Sequence, residues 1–179
     1  MDEAWGANEL SHVLDEVPCE LAAVSFGGTC LDSIGQVLTP TIVQDPPTLN
    51  WTTEENQFYS VFMTDPDAPS RDEPKFREWY HWGVINIPGN DVSKGEEIAA
   101  YVGAGPPKGT GKHRYVILVF KQSGKVNYTG DKLGMTMDGR AGQKIEDIVK
   151  KHNLGKILAG ACFQAEWDDY VPELYKKFK

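Results

Sequence analysis

Six short apolar segments along the chain predict β-strands. They are rich in Val, Ile, Phe, Tyr and Thr, and turn-forming Gly, Pro, Asn and Asp residues bound them. The segments cover residues 21–26, 36–43, 58–64, 81–87, 113–121 and 160–166. Strands and helices do not alternate regularly, and no repeat of fixed period is visible, so we expect a mainly antiparallel β core with peripheral helices.

Three amphipathic patterns predict those helices. Apolar residues at positions 10, 13, 14 and 17 have helical spacing, and Pro18 ends that pattern. Residues 145–152 repeat the spacing, with Gly155 placed to cap the helix. In the last pattern, Pro172 suits a first helical position, and residues 171, 174, 175 and 178 share one face. We therefore expect one N-terminal helix and two C-terminal helices.

The composition is that of a globular chain. A length of 179 residues and a mass of 19.9 kDa fit one domain over residues 1–179. The hydrophobic fraction of 40% excludes disorder, and a chain of this size builds its core without a metal or disulfides. The net charge of −8 argues against nucleic acid as a partner and against a polybasic membrane anchor.

Two further features predict a cytoplasmic protein. No run approaches the ~18 apolar residues of a membrane span, and the acidic start Met1-Asp2-Glu3 is unlike an export signal. The three cysteines form no paired motif, which is typical of reduced thiols. We expect a cytoplasmic monomer with no cofactor.

The loop after the third predicted strand carries candidate chemistry. Residues 65–71 contain Asp65, Asp67, Ser70 and Arg71, and prolines hold these groups in few conformations. His81 then begins the next strand. The alternative is an Asx-Pro turn in which the carboxylates only satisfy backbone N–H groups.

A glycine-rich loop at residues 103–112 is the second candidate. It contains Gly105, Pro106 and Pro107 and leads into His113 and Arg114. Its glycines allow a ligand to approach the backbone, but the spacing is not that of a P-loop and a strand follows instead of a helix. Nucleotide hydrolysis is therefore disfavoured.

Three kinds of site fit these residues. Two histidines and a carboxylate match a metal triad in type, but no local metal-binding signature is present. A hydrolase site with Ser70 or a cysteine as nucleophile lacks a recognised sequence context. A small anion-binding pocket is narrowly favoured, and we expect neither a metal nor an enzyme.

Four motifs resemble the signatures of the phosphatidylethanolamine-binding protein family. In order, they are DPDAPSR at 65–71, REWYHW at 77–82, GPPKGTGKHRY at 105–115 and QAEWDDYVP at 164–172. The resemblance implies a large antiparallel sheet packed on a smaller one, with the C-terminal helices beside a pocket for phosphate-type or phospholipid headgroups. The matching pocket residues are Asp65, Phe76, Trp79, His81, Gly105, Pro106, Pro107, His113 and Tyr175, with Asp67, Ser70, Arg71 and Arg114 in support.

The sequence departs from the family pattern at two places. Phe76 stands where many animal members have a pocket Tyr, so the wall keeps its apolar ring and loses a hydroxyl. Residues 145–148 lack the regulatory Ser of Raf kinase inhibitor proteins, so no phosphorylation switch is carried over. The family also implies an alternative function, the inhibition of a Raf-like kinase or a serine-type peptidase.

Overall fold

The computed structural model describes residues 1–179 and contains ten strands and three helices. The strands are β1 (Glu20–Leu21), β2 (Ala23–Phe26), β3 (Thr29–Cys30), β4 (Gln36–Val37), β5 (Thr48–Asn50), β6 (Phe58–Asp65), β7 (Trp79–Pro88), β8 (Glu96–Ala99), β9 (His113–Lys121) and β10 (Lys156–Ala165). The helices are α1 (Asp2–Ala7), α2 (Ile145–His152) and α3 (Val171–Tyr175). None of the helices combines the length and the apolar character needed to cross a membrane.

The strands form a large sheet and a small one, which confirms the predicted fold class. The large sheet has the order β1-β10-β9-β6-β7-β8, with β4 also paired to β10, and the small sheet has the order β3-β2-β5. The large sheet is mainly antiparallel, as expected. The exception is one edge, where the two-residue strands β1 and β4 pair parallel to β10.

Strand β9 shows how the layers are arranged. Its residues Tyr115, Ile117 and Val119 pack in a core between the two sheets. The alternate residues Val116, Leu118 and Phe120 pack on the opposite face with the N-terminal segment and α2. Because both faces of β9 are buried, its residues 115–120 form a continuous apolar run, and the predicted bounds of the strand are correct.

The predicted helix over residues 10–17 is wrong. Helix α1 lies earlier in the chain, and only a short 3₁₀ turn, Leu10–His12, falls in the predicted range. Leu10, Val13 and Leu14 are buried as the pattern requires, and Val17 is partly buried. The chain nevertheless folds back, and Nε1 of Trp5 donates a hydrogen bond to the carbonyl of Leu14 at 3.2 Å. Burial of the indole therefore requires a turn where the spacing indicated a helix.

Two other local predictions also need correction. Only Gln36–Val37 of the predicted strand 36–43 pairs, because the amide of Val43 bonds back to the carbonyl of Thr39 at 3.2 Å. Helix α2 ends at His152 as predicted, but Asn153 takes the left-handed position after it, at φ 54°. Gly155 begins the approach to β10 instead of capping the helix, and a Cβ atom there would overlap the backbone of Lys121.

Candidate functional site

A pocket opens where three strands of the large sheet reach the same edge. Strand β6 ends at Asp65, and its antiparallel neighbours β7 and β9 begin beside it at Trp79 and His113. The glycine-rich loop and α3 close the remaining sides. The cavity has a volume of about 140 Å³. Antiparallel pairing therefore joins three sequence motifs that lie far apart along the chain.

Nine of the predicted site residues line this cavity. They are Asp65, Phe76, Trp79, His81, Gly105, Pro106, Pro107, His113 and Tyr175. Eight lining residues had not been predicted, namely Ala68, Pro69, Val102, Gly103, Tyr115, Met137, Leu174 and Phe178. No Lys or Arg side chain is in the lining, so imidazoles, hydroxyls and backbone groups provide the polar surface.

His113 forms hydrogen bonds through both ring nitrogens. Its Nδ1 lies 2.8 Å from Oδ2 of Asp65, and its Nε2 lies 2.9 Å from the hydroxyl of Thr110. That hydroxyl donates to the carbonyl of Pro107 at 2.7 Å, so its own proton is committed and its oxygen accepts from His113. Nε2 of His113 therefore carries a proton.

Asp65 is a buried carboxyl that is hydrogen-bonded to His113. Besides the imidazole, it accepts the backbone N–H of Asp67 at 2.7 Å. Burial raises the pKa of Asp65, and the bonds from His113 and Asp67 partly oppose that rise. Asp65 thereby fixes the orientation of the His113 ring, with Nδ1 towards the carboxyl and Nε2 towards Thr110.

His81 lies beside this pair with a different bonding pattern. Its Nδ1 donates to the carbonyl of Val102 at 2.7 Å, and the amide of Val102 returns a bond to the carbonyl of His81 at 2.9 Å. The ring also packs against Trp79 and Tyr115, with centroid distances of 4.5 and 5.2 Å. Burial lowers the pKa of His81 to about 3, so the ring is neutral.

A buried guanidinium supports the Trp79 wall from behind. Arg140 lies 5.6 Å from the Trp79 ring centroid and donates only to backbone carbonyls, including those of Tyr80 and Ala100. None of its partners is a carboxylate, and burial lowers its pKa to about 10. Arg140 lies in a loop without hydrophobic periodicity, so no sequence signal indicated its role.

Helix α3 reaches the pocket through Gly105. The hydroxyl of Tyr175 donates to the Gly105 carbonyl at 2.6 Å. A Cβ atom on Gly105 would come within 2.7 Å of Leu174, so the missing side chain lets α3 approach. Helix α2 packs on the opposite face of the large sheet, which corrects the expectation that both C-terminal helices lie beside the pocket.

The four supporting residues lie outside the pocket lining. Asp67 and Arg114 form a buried ion pair, with Nη2 of Arg114 2.6 Å from Oδ1 of Asp67. Arg71 pairs with Glu9 at the surface at 3.0 Å, and the Ser70 hydroxyl accepts a backbone N–H within its own turn. Side chains of neighbouring residues on a strand project to opposite faces of the sheet. Arg114 therefore meets Asp67 on the face opposite to His113, away from the pocket.

Tyr115 is the most informative of the residues that had not been predicted. It lies two positions after His113 on β9, so both side chains project from the same face, and their rings are stacked at 6.3 Å. Its hydroxyl has no hydrogen-bond partner in the protein but, unlike that of Tyr80, it is not sealed from solvent. Period-two alternation in the sequence could have identified this donor.

No group of three His, Cys, Asp or Glu side chains in the chain is arranged to hold a metal ion. The polar atoms that reach the cavity are hydrogen-bond donors and acceptors of a kind that suits a small oxyanion.

Comparisons with known proteins agree with this architecture. Residues 29–164 match the family model described as phosphatidylethanolamine-binding protein. The putative odorant-binding protein A5 of Drosophila melanogaster is 40% identical over 168 residues, which are 93% of this chain and 80% of that protein.

Two solved structures share the fold. The solution structure of CG7054 is 41% identical with a TM-score of 0.74, covering 93% of this chain and 96% of the other. A carboxypeptidase Y inhibitor, solved in complex with its cognate proteinase, is 22% identical with a TM-score of 0.77, over 93% and 94% of the two chains.

Proposed function

Because the chain belongs to the phosphatidylethanolamine-binding protein family, we propose that its pocket binds a phosphate-type group, such as a phospholipid headgroup or a small phosphorylated ligand. The observation that carries the proposal is the protonated Nε2 of His113, held at the pocket by Asp65 and Thr110. A phosphate oxygen is an acceptor that this N–H can bond.

The size of the cavity limits what enters it. The cavity volume of about 140 Å³ is close to the ~150 Å³ of a cavity that holds a benzene-sized molecule. It is well below the roughly 300 Å³ or more that a drug-sized ligand needs. A phosphate group or compact headgroup fits, whereas acyl chains remain outside. The function proposed is therefore recognition of a headgroup and not enclosure of a whole lipid.

The charge of the lining predicts weak binding. No lysine or arginine is among the lining residues, so no permanently charged cation meets an anion in the pocket. Three hydrogen bonds from the pocket, each contributing about 0.5 to 1.5 kcal/mol net, correspond to a dissociation constant of roughly 1 to 100 mM. We expect affinity to rise only when contacts outside the cavity are added.

An NMR titration tests this proposal. Glycerophosphoethanolamine or inorganic phosphate is added to the labelled protein at millimolar concentration, and we expect shifts at His81, Gly105, His113 and Tyr115. The His113→Gln variant should lose the shifts while keeping a folded spectrum. The Arg71→Ala variant, changed outside the lining, should keep them. No shift around the pocket with either ligand would refute the proposal.

A protein partner is the second candidate, favoured by an apolar rim at the pocket mouth. Phe76, Met137 and Tyr175 line the pocket and are 41%, 51% and 42% exposed. Large apolar side chains grouped at an opening are typical of a surface that another molecule covers. We propose an inhibitory contact with a serine-type peptidase or a Raf-like kinase as the form of this function.

Inhibition assays test the second candidate. The protein is titrated into carboxypeptidase Y, and separately into a Raf-type kinase, while turnover of a small substrate is followed. Serine at positions 76 and 137 should weaken any inhibition, whereas Leu21→Ser changes an equally exposed apolar residue outside the lining and should not. Full enzyme activity at saturating excess of the wild-type protein would exclude this function.

We further propose that the protein acts as a cytoplasmic monomer. Its cysteines are unpaired, and Cys19 and Cys30 are exposed, which suits a reducing compartment. Light scattering under reducing conditions should give a mass near 19.9 kDa. A stable dimer mass would contradict this proposal.

A further inference from the structure

We propose that the pocket selects an anion that carries its own hydrogen-bond donor, because His81 offers the ligand an acceptor while His113 offers a donor. A singly protonated phosphomonoester, HO–PO₂⁻–OR, has this combination, and so does a phosphodiester with a neighbouring ammonium group. The inference rests on the proposed function and specifies the chemistry of its ligand.

The bonding of His81 determines which of its nitrogens holds the proton. The carbonyl of Val102 can only accept a hydrogen bond, so Nδ1 of His81 must be the donor across 2.7 Å. In a neutral imidazole the other nitrogen, Nε2, is then a bare lone pair. Nε2 has no partner in the protein, and it is not among the polar atoms sealed in the interior. His81 lines the pocket, so the lone pair is available to a ligand.

A second proton on His81 is opposed by its surroundings. The ring is buried between Trp79 and Tyr115, and burial disfavours the charged form. The guanidinium of Arg140 adds to this effect, since it bonds the carbonyl of Tyr80 at 2.9 Å, next to His81, and has no carboxylate partner. His113 also lowers the pKa of His81, whereas the backbones of Val102 and Gly103 favour its protonated form without outweighing burial. The other titratable groups of the lining are Asp65, which bonds to His113, and the hydroxyls of Tyr115 and Tyr175.

The two imidazoles thus present opposite hydrogen-bonding characters. Nε2 of His113 donates, because the proton of the Thr110 hydroxyl is used by Pro107. Nε2 of His81 accepts. An anion that has only acceptor oxygens can accept the hydrogen bond from His113. One of its oxygen lone pairs then faces the lone pair of His81 with no proton between them, which is unfavourable. An anion with one O–H or N–H satisfies both rings.

Two ligands of equal charge test the inference. Methyl phosphate is largely a monoanion with one O–H at pH 5.5 and largely a dianion at pH 8, since its second pKa is about 6. Dimethyl phosphate is a monoanion without an O–H at both pH values. We expect methyl phosphate to bind about tenfold more tightly than dimethyl phosphate at pH 5.5, and to lose at least that factor by pH 8.

Two controls separate the effect of the ligand's own proton from effects of protein titration and of ligand size. Dimethyl phosphate does not titrate in this range, so its binding reports any pH change in Asp65, His113 or the rest of the protein. The His81→Gln variant offers an amide that donates as well as accepts, so the preference should disappear; a preference due to the extra methyl group would remain. Glycerophosphoethanolamine, a diester with an ammonium donor, should bind more tightly than dimethyl phosphate at both pH values.

Each result has a distinct meaning. If the two phosphates bind equally at pH 5.5, or methyl phosphate binds more tightly as the dianion, the inference is overturned while the proposed function stands. If neither ligand binds at any pH, the proposed function itself fails. Long-range ¹H–¹⁵N NMR adds a direct check, because a proton found on Nε2 of His81 between pH 5.5 and 8 would overturn the inference.

Discussion

Replacing Asp67 by Asn should destabilise the protein strongly without altering the pocket. The carboxylate of Asp67 accepts the Nε and Nη2 donors of Arg114 at 2.8 and 2.6 Å, and also the backbone N–H of that residue at 2.8 Å. Both side chains are fully buried. Asn keeps the shape but removes the charge that compensates a buried guanidinium.

The expected loss follows from these contacts. Removing one partner of a buried ion pair costs about 3 to 5 kcal/mol, because the remaining charge stays buried. The other partners of Arg114 are the carbonyls of Asn8 and Glu9 and the ring of His12, and none of them is a carboxylate. With a urea slope of about 2 to 3 kcal/mol per M, the unfolding midpoint should fall by about 1 to 2.5 M.

The pH dependence of the same variant has a defined sign. Burial alone would raise the pKa of Asp67, but the hydrogen bonds and charge of Arg114 outweigh it, and the pKa is lowered. The stabilisation is therefore complete above the pKa of an unfolded Asp, about 4, and is lost as the pH falls through the lower folded value. The gap between wild type and Asp67→Asn should narrow in acid.

Urea denaturation followed by tryptophan fluorescence measures both effects. Arg71→Ala is the matched control, because it removes an exposed ion pair on the same loop and should leave the midpoint unchanged. At urea concentrations where Asp67→Asn is folded, its phosphate-induced shifts should equal those of wild type. A midpoint equal to that of the control would refute the reasoning.

Three further predictions concern the surroundings of the pocket. Burial raises the pKa of Glu78 from 4.5 to about 7, so its contribution to stability is lost as the pH rises through about 7. At 1.36 kcal/mol per unit, wild type should lose up to about 3 kcal/mol between pH 5 and 8 in urea titrations, and Glu78→Gln should lack this loss; equal losses would contradict it. Thr110→Ala frees the Nε2 proton of His113, so the dissociation constant for inorganic phosphate should fall by about twofold to tenfold. NMR titration measures this constant, and an increase in it would contradict the bonding assigned to Thr110. Tyr175→Phe removes the bond to Gly105, so backbone amides of α3 should exchange faster with solvent; unchanged exchange would mean that this bond does not hold the helix.

The sequence predicted best those elements whose environment is uniform along their length. Strand β9 is buried on both faces, so residues 115–120 form an unbroken apolar run that marks the strand in the sequence. The N-terminal segment was misassigned because its conformation depends on distant partners. The carbonyls of Asn8 and Glu9 bond to Arg114, more than 100 residues away, and no local spacing indicates that contact.

The candidate site was predictable to the extent that its motifs are local. Loops of prolines, glycines and histidines indicated His81 and His113 through residue type and family resemblance. Proximity in sequence alone did not show that Asp67 and Arg114, predicted to support the site, meet on the opposite face of the sheet, because neighbours along a strand project to opposite faces. Met137 reaches the pocket from an irregular segment without periodicity, so only the three-dimensional arrangement reveals it.

The alternation along β9 has a consequence for how ligand preference changes in this fold. His113 and Tyr115 face the pocket, whereas Arg114 between them anchors the N-terminal segment from the other side of the sheet. Side-chain substitutions on the two faces should add except where they disturb the link between them, the backbone N–H of Asp67 that Asp65 accepts at 2.7 Å. Protein engineering, or selection acting on a duplicated gene, can therefore change the residues on the pocket face while the residues on the opposite face maintain the fold.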